Sequence, residues 1–281
     1  MKLGFVILHY ITSEDTMNCV TSIREKCENC PIVIIDNSSP NGSYNQLYAK
    51  YVDDNFTDVI KLKENEGFAR GNNAGITYMK KKYDPDFICV LNNDTLILSD
   101  HFELLIENEY KKSGFAVLGP QVITPDGTNF TSPVEYVVDS VKKADNLILK
   151  RRIKLIMNRL HLHFLLHNAN EFVSRNEKYN HYKKYENVKL HGCCWIFSRK
   201  FFEKLNGLNP STFLYFEEDI LFNELRKNNL LAVYQPDIVI KHLEDSSTRA
   251  IVRNTREKNI FVYKNELESL KILRDILKMG E

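Results

Sequence analysis

The sequence predicts an α/β fold: a mostly parallel central sheet flanked by helices, with a helical insertion and a long C-terminal helix. Two observations carry this. Short continuous apolar runs alternate with segments of helical periodicity through the first 120 residues. Several of those runs stop abruptly in polar residues. Strands buried on both faces lose the in–out alternation and read as unbroken apolar runs, and a parallel sheet needs a helix between strands. At 281 residues the chain can bury the core that such a sheet requires.

The elements follow in order. "LGFVILHY" at 3–10 is the first apolar run, followed by a helical pattern from Ser13 to about Cys27. "PIVIIDN" at 31–37 is β-branched, opened by a proline and closed by Asp36 and Asn37. A helix is expected over 43–53, a strand at 58–63, a helix over 68–82 and a strand "FICVL" at 87–91. After residue 187 the pattern returns. "CCWIFS" at 193–198 reads as a strand, 199–205 as a short helix, and the second half of "TFLYFEEDILFNELRK" as a helix. Residues 230–235 and 237–242 read as two strands, and a long helix starts near Arg253. Its stripe of Ile260, Tyr263, Leu267, Leu270, Leu273 and Leu277 is expected to pack on the domain or on a second copy.

Composition bounds the function. The net charge of +1 gives no global attraction to nucleic acid. The opening run meets Glu14 and Asp15 too early to span a bilayer, and it lacks a cleavage pattern, so a cytoplasmic protein is expected. Six cysteines include a lone Cys27-x-x-Cys30 and the adjacent Cys193 and Cys194, and they read as reduced structural thiols.

Open parallel sheets bind ligands beyond the carboxyl ends of their strands. His9, Asp36 and Asp94 all stand at or just past such ends. In "LNNDT" a buried strand runs into Asn92, Asn93 and Asp94. A turn alone explains those residue types. A single carboxylate can also hold Mg²⁺ or Mn²⁺ when water and phosphate oxygens supply the rest of the shell. "NEGFARGNNAGI" at 65–76 gathers Asn65, Gly67, Arg70 and Asn72 around a helix start, where closely spaced glycines admit a ligand or a neighbouring element. "FEEDIL" sets Glu217, Glu218 and Asp219 in a first helical turn, which keeps carboxylates ionised as a general base requires. His242 closes a strand, with Glu244, Asp245, Ser246 and Ser247 behind it.

The middle segment, 133–187, is basic. Leu149, Ile153, Ile156, Leu160 and Phe164 recur at helical spacing among Lys150, Arg151, Arg152, Lys154 and Arg159. Two readings stand: a surface helix packing this stripe on the domain, or an amphipathic helix touching an anionic membrane. His161, His163 and His167 nearby can be read as a zinc site, though no acidic or thiol partner lies close in sequence.

Asp36, "NEGFARGNNAGI", "LNNDT", "HGCC", "GLNPSTFLYFEEDIL" and "IKH" occur in an order and spacing that resemble the family 2 inverting glycosyltransferases of GT-A fold. The resemblance covers about residues 3–247 and is strongest to the rhamnosyltransferase-like branch of bacterial surface polysaccharide biosynthesis. It implies a glycosyltransferase domain over 1–247, with a donor half at 1–120, the insertion at 133–187, a catalytic half at 188–247 and a helical segment at 248–281. It implies that Asp36 reads a uracil or thymine base near His9 and Tyr10. Asn65, Gly67, Arg70, Asn72, Asn93 and Asp94 would line the nucleotide-sugar site, with Arg70 facing the diphosphate. Asp94 and His242 would hold Mg²⁺ or Mn²⁺, and Asn92 replaces the usual first Asp of the D-x-D motif. Asp219 would be the catalytic base, supported by Glu218, with Trp195 and Glu217 on the acceptor side. Leu221 stands where many relatives carry a further acid.

The implied donor is a dTDP- or UDP-sugar, with dTDP-rhamnose favoured and galactofuranose, galactose or an amino sugar open. The implied acceptor is a lipid-linked oligosaccharide or glycan at the inner membrane face, with peripheral membrane contact and a homodimer allowed. A nucleotidyltransferase would need a Gly- and Lys/Arg-rich loop after the first strand, where "HYITSED" is acidic. A catalytically silent sugar-nucleotide-binding or scaffold relative is the other alternative, and Asp36, Asp94, Asp219 and His242 count against it.

Overall fold

The computed structural model describes residues 2–27, 29–127, 130–162, 179–243 and 255–279. Among these residues a nine-stranded sheet has the order β3 (Thr57–Lys61), β2 (Ile32–Asp36), β1 (Leu3–His9), β4 (Phe87–Asn92), β8 (Cys194–Ser198), β6 (Val117–Ile123), β9 (Ala232–His242), β5 (Thr95–Ile97), with β7 (Tyr185–Glu186) paired to β9. Its first half is β1 (Leu3–His9), β2 (Ile32–Asp36), β3 (Thr57–Lys61) and β4 (Phe87–Asn92). These four run parallel, at the places the apolar runs predict. Helices α1 (Ser13–Lys26), α2 (Ser43–Tyr51) and α3 (Gly67–Lys82) connect them. Alternate strand residues serve opposite faces, because successive side chains of a strand point to opposite sides. Phe5 and Ile7 join the core under α1 and α2, and Val6 joins the core under α3.

The second half is mixed. β8 (Cys194–Ser198) lies antiparallel between β4 and β6 (Val117–Ile123). Helix α4 (Phe102–Ser113) and β6 have no counterpart among the expected elements. α4 ends at Gly114 in the left-handed region, φ 60°, a usual glycine helix stop. The two strands expected at 230–235 and 237–242 are one, β9 (Ala232–His242). Its pairing with β6 jumps from Gln235 to Val239, so Pro236, which has no N–H to donate, falls in the irregularity. A three-residue strand, β5 (Thr95–Ile97), pairs antiparallel with the end of β9. The short β7 (Tyr185–Glu186) and the short helix α6 (Arg199–Phe202) complete this half, with α7 (Glu217–Lys227) after them.

The insertion supplies α5 (Val141–Arg159), whose buried residues Ala144, Ile148 and Leu155 lie against α8 (Thr255–Lys278). From α8, Leu267, Leu270 and Leu273 are buried there, the packing expected of the C-terminal stripe. The stripe read for α5 behaves otherwise: Leu149, Ile153, Ile156 and Leu160 are exposed. Phe164, His163 and His167 lie outside the described residues. All six cysteines are free and buried, as structural thiols. No helix among the described residues is long and apolar enough to cross a membrane.

Candidate active site

Strand register assembles the site. His9 pairs with Asp36, Leu8 with Asn92, and Asp36 with Lys61, so the carboxyl ends of β1 to β4 finish together. β4 then turns through Asn93 and Asp94 into β5. There Thr95 pairs with His242, and the Leu243 N–H donates to the Asp94 carbonyl at 2.9 Å. This short ladder brings residues 94 and 242 side by side. Asp94 Oδ1 lies 3.2 Å from His242 Nε2, and His242 Nδ1 is buried without a partner.

β8 adds the opposite wall. The Asn92 N–H donates to the Cys193 carbonyl at 2.9 Å, which fixes "HGCC" against the end of β4. His191 stands beside His242, ring centroids 5.5 Å apart. Donor atoms of His191, Cys193 and His242 lie within 4.8 Å of one another. Burial holds the His191 imidazole neutral, its pKa lowered to about 3, and the charge of His242 adds to this. Burial raises the Cys193 thiol well above its ordinary range, with Asp94 and Glu218 pushing the same way. His191 has no place among the site residues expected from sequence; a histidine three residues before a buried strand carries no signal by itself.

The three successive acids of α7 take three different positions. Tyr215 and Phe216 enter the helix at φ 74° and 67°, an unusual conformation for aromatic residues. Glu217 is buried and accepts from the Thr212 hydroxyl at 3.0 Å. Burial, then the charge of Glu218, raises its pKa to about 7. Glu218 is half-buried and accepts from the Gly192 N–H at 3.2 Å, which places it against the "HGCC" wall. Asp219 turns away. Its Oδ1 accepts from the Val138 N–H at 2.7 Å, and Lys189 Nζ lies 3.1 and 3.0 Å from its two oxygens. Burial raises its pKa, and the Lys189 charge opposes that.

Several expected site residues are absorbed by structure. Trp195, expected on the acceptor side, is fully buried on β8 with its ring edge-on to Phe68. Glu217, expected on the same side, is shut beneath the start of α7. Asn72 is also fully buried: its amide donates to the Phe68 carbonyl of its own helix, and its Oδ1 has no partner among the described residues. Gly67, φ 79°, is needed for packing: a Cβ there would fall 2.3 Å from the Phe213 carbonyl oxygen. Asn65 is exposed and accepts from the Gly67 N–H. Exposed Arg70 donates to the Pro210 carbonyl, and Asn73 bonds Leu208 N–H and carbonyl together. "NEGFARGNNAGI" thus ties α3 to the loop that carries α7.

Asn93 donates to Thr12 and Thr16 at the start of α1, away from Asp94. His9 is held between Thr16 and Ser43 at 2.7 and 2.8 Å, and burial lowers its pKa to about 4. It stands 3.7 Å from Asp36, which accepts from the Ser39 N–H and whose pKa burial raises. Tyr10 follows at the half-buried end of the β1 turn. Glu244 to Ser247, behind His242, lie outside the described residues.

The donor chemistry fits a divalent cation. The Asp94 carboxylate and the His242 imidazole stand 3.2 Å apart, and His191, held neutral by burial, stands beside His242.

Comparison with known proteins gives concordant results. The family model described as glycosyl transferase family 2 matches residues 5–206. The "low-salt glycan biosynthesis hexosyltransferase Agl10" of Haloferax volcanii is 25% identical over 228 residues, 81% of this chain. The chain spans 62% of that relative's length. The crystal structure of GalNAc-T7 with UDP, GalNAc and Mn²⁺ matches with TM-score 0.58 at 12% identity, over 99% of this chain and 55% of that one. That of S. aureus TarS 1-349 matches with TM-score 0.53 at 12% identity, over 96% and 72%.

Proposed function

This chain belongs to glycosyl transferase family 2 and has the GT-A fold, and from that premise we propose that it is a hexosyltransferase using a nucleoside-diphosphate sugar. The observation that carries the reading is the Asp94–His242 pair at the carboxyl edge of the sheet, walled by Gly192 and Glu218. The donor is a dTDP- or UDP-sugar, with dTDP-rhamnose preferred on the resemblance to the rhamnosyltransferase-like branch. The acceptor is a hydroxyl of a lipid-linked glycan, and transfer inverts the anomeric centre.

Asp36 accepts the ring N–H of the base. The Ser39 N–H leaves part of its acceptor capacity open, and His9, kept neutral by burial, stands 3.7 Å away. Asp94 and His242 would hold Mg²⁺ or Mn²⁺. When bound, such a cation supplies positive charge against the departing diphosphate. Asn92 leaves Asp94 as the one carboxylate of the motif, consistent with a cation retained mainly when donor is present.

We assign the general base to Glu218 rather than to Asp219. A base must reach the acceptor hydroxyl with an available oxygen. Both Asp219 oxygens face Lys189, and one also takes the Val138 N–H, whereas Glu218 is half-buried beside the donor wall. Glu218 removes the hydroxyl proton as the oxygen attacks the anomeric carbon on the face opposite the leaving diphosphate. Asp219 holds the segment before α5 against α7.

Isothermal titration with UDP, dTDP and GDP, with and without Mn²⁺, tests the reading. Metal-dependent binding of UDP or dTDP, lost in Asp94→Ala, is expected. Absence of binding by every nucleotide under both conditions would overturn it. Sugar release from a matched donor separates a working transferase from a silent relative.

A further inference from the structure

Helix α5 has two apolar faces. One, Ala144, Ile148 and Leu155, is buried against α8. The other is Leu149, Ile153, Ile156 and Leu160, exposed by 60%, 48%, 55% and 62%. Steps of four, three and four residues set these side chains in one line along the helix. Bare aliphatic surface of this kind, unbroken over three turns, marks an interaction site rather than ordinary exposure.

The charges around the line identify what covers it. At 100° per residue, Arg152 and Arg159 fall on one flank and Lys150 on the other, and all three are exposed. The basic residues turned inward are engaged: Arg151 pairs with Glu266, and Lys154 lies 5.9 Å from the centre of the Tyr263 ring. The one acid of this 19-residue helix, Asp145, faces Arg274 at 3.6 Å. An apolar line between two cationic flanks is the pattern of a helix lying in a lipid–water interface, where acyl chains take the aliphatic groups and anionic headgroups take the cations. A second copy fits less well, because a two-fold contact on this line would set cationic flank against cationic flank.

We propose that the exposed face of α5 docks the protein, helix flat, on an anionic lipid surface. This does not rest on the transferase reading. It does bear on it, since the segment entering α5 donates from Val138 to Asp219, the neighbour of Glu218.

Co-sedimentation of the full chain with vesicles tests the proposal, using phosphatidylcholine alone or mixed with phosphatidylglycerol. Wild type is expected to bind the mixed vesicles and to be released by salt. Ile153→Ser with Ile156→Ser, and separately Lys150→Glu with Arg152→Glu, should each weaken binding by about tenfold or more. Their melting temperatures should stay near wild type, since all four sites are exposed. A single Ile156→Trp should shift its emission to the blue on mixed vesicles, against a native background of one buried tryptophan, Trp195.

Failure to bind anionic vesicles, or equal binding by wild type and both variants, would overturn the proposal. A protein dimer dispersed by Ile153→Ser with Ile156→Ser would assign the face to a second copy instead. An Ile156→Trp emission already blue without lipid would assign it to another segment of this chain.

Discussion

Asp94 and Asp219 are buried almost equally, 6% and 4% exposed, yet the two regions hold them in opposite ways. Asp219 faces a buried lysine with both oxygens and takes a backbone N–H on one of them. Its charge is already compensated within the protein. Asp94, among the described residues, has one side-chain partner, the His242 ring, which keeps an unpartnered nitrogen of its own. A buried carboxylate costs free energy unless it is paired and hydrogen-bonded. The region around residue 219 meets that requirement by itself, and the region around residue 94 meets it only in part. Burial therefore does not identify the working acid. On the proposed roles, the number of internal partners does.

The comparison breaks most sharply under the same substitution at both sites. Asp94→Asn should lower turnover by about 10³-fold or more, because charge opposing the leaving diphosphate is among the largest catalytic contributions. Its unfolding free energy should stay close to wild type. Asp219→Asn should do the reverse. It leaves Lys189 charged and buried without its counter-ion, a loss of about 3–5 kcal/mol in denaturant unfolding. Adding Lys189→Met should recover part of that loss. If Asp219→Asn folded with wild-type stability and lost turnover, the roles drawn from these partners would be reversed.

A smaller effect sharpens the choice within α7. Glu218→Gln keeps the size of the side chain and an oxygen to accept from the Gly192 N–H, but removes the basic carboxylate. A decrease in kcat of about 10²–10³-fold is expected, with KM for the donor little changed. A Glu218→Gln enzyme that turned over normally would remove Glu218 as the base.

The same contrast explains what was legible in the sequence. β1, β2 and β4 were readable because both faces of each are buried, and their polar ends mark one edge of the sheet. The pairing of Asp94 with His242 crosses 148 positions of sequence and depends on a three-residue strand too short to show a period. In "EED", three adjacent carboxylates point about 100° apart. Composition places them together, and only the neighbours Thr212, Gly192 and Lys189 separate their roles. α5 poses the same difficulty. Two apolar lines share one helix, and the packed one is decided by α8, more than a hundred residues later. Trp195 shows the converse: an aromatic residue near a motif looks available until β4 and β6 close around its strand.

Glu217 gives the smallest predicted effect and the most direct reading of how closed the start of α7 is. Its carboxyl is held near pKa 7 against an ordinary 4.5. Between pH 4.5 and 7 the unfolded chain releases this proton while the folded one keeps it. Glu217 therefore makes stability fall as pH rises through that window and level off above 7. Glu217→Gln still accepts from Thr212 and cannot ionise, so it should melt a few degrees higher than wild type at pH 8 and match it at pH 4.5. Because the Glu218 charge is the second cause of the shift, Glu218→Gln should move the wild-type dependence to lower pH. Identical melting curves for wild type and Glu217→Gln across this range would mean that water reaches residue 217. The first turn of α7 would then be open on both sides, and Glu217 would compete with Glu218 for the acceptor hydroxyl.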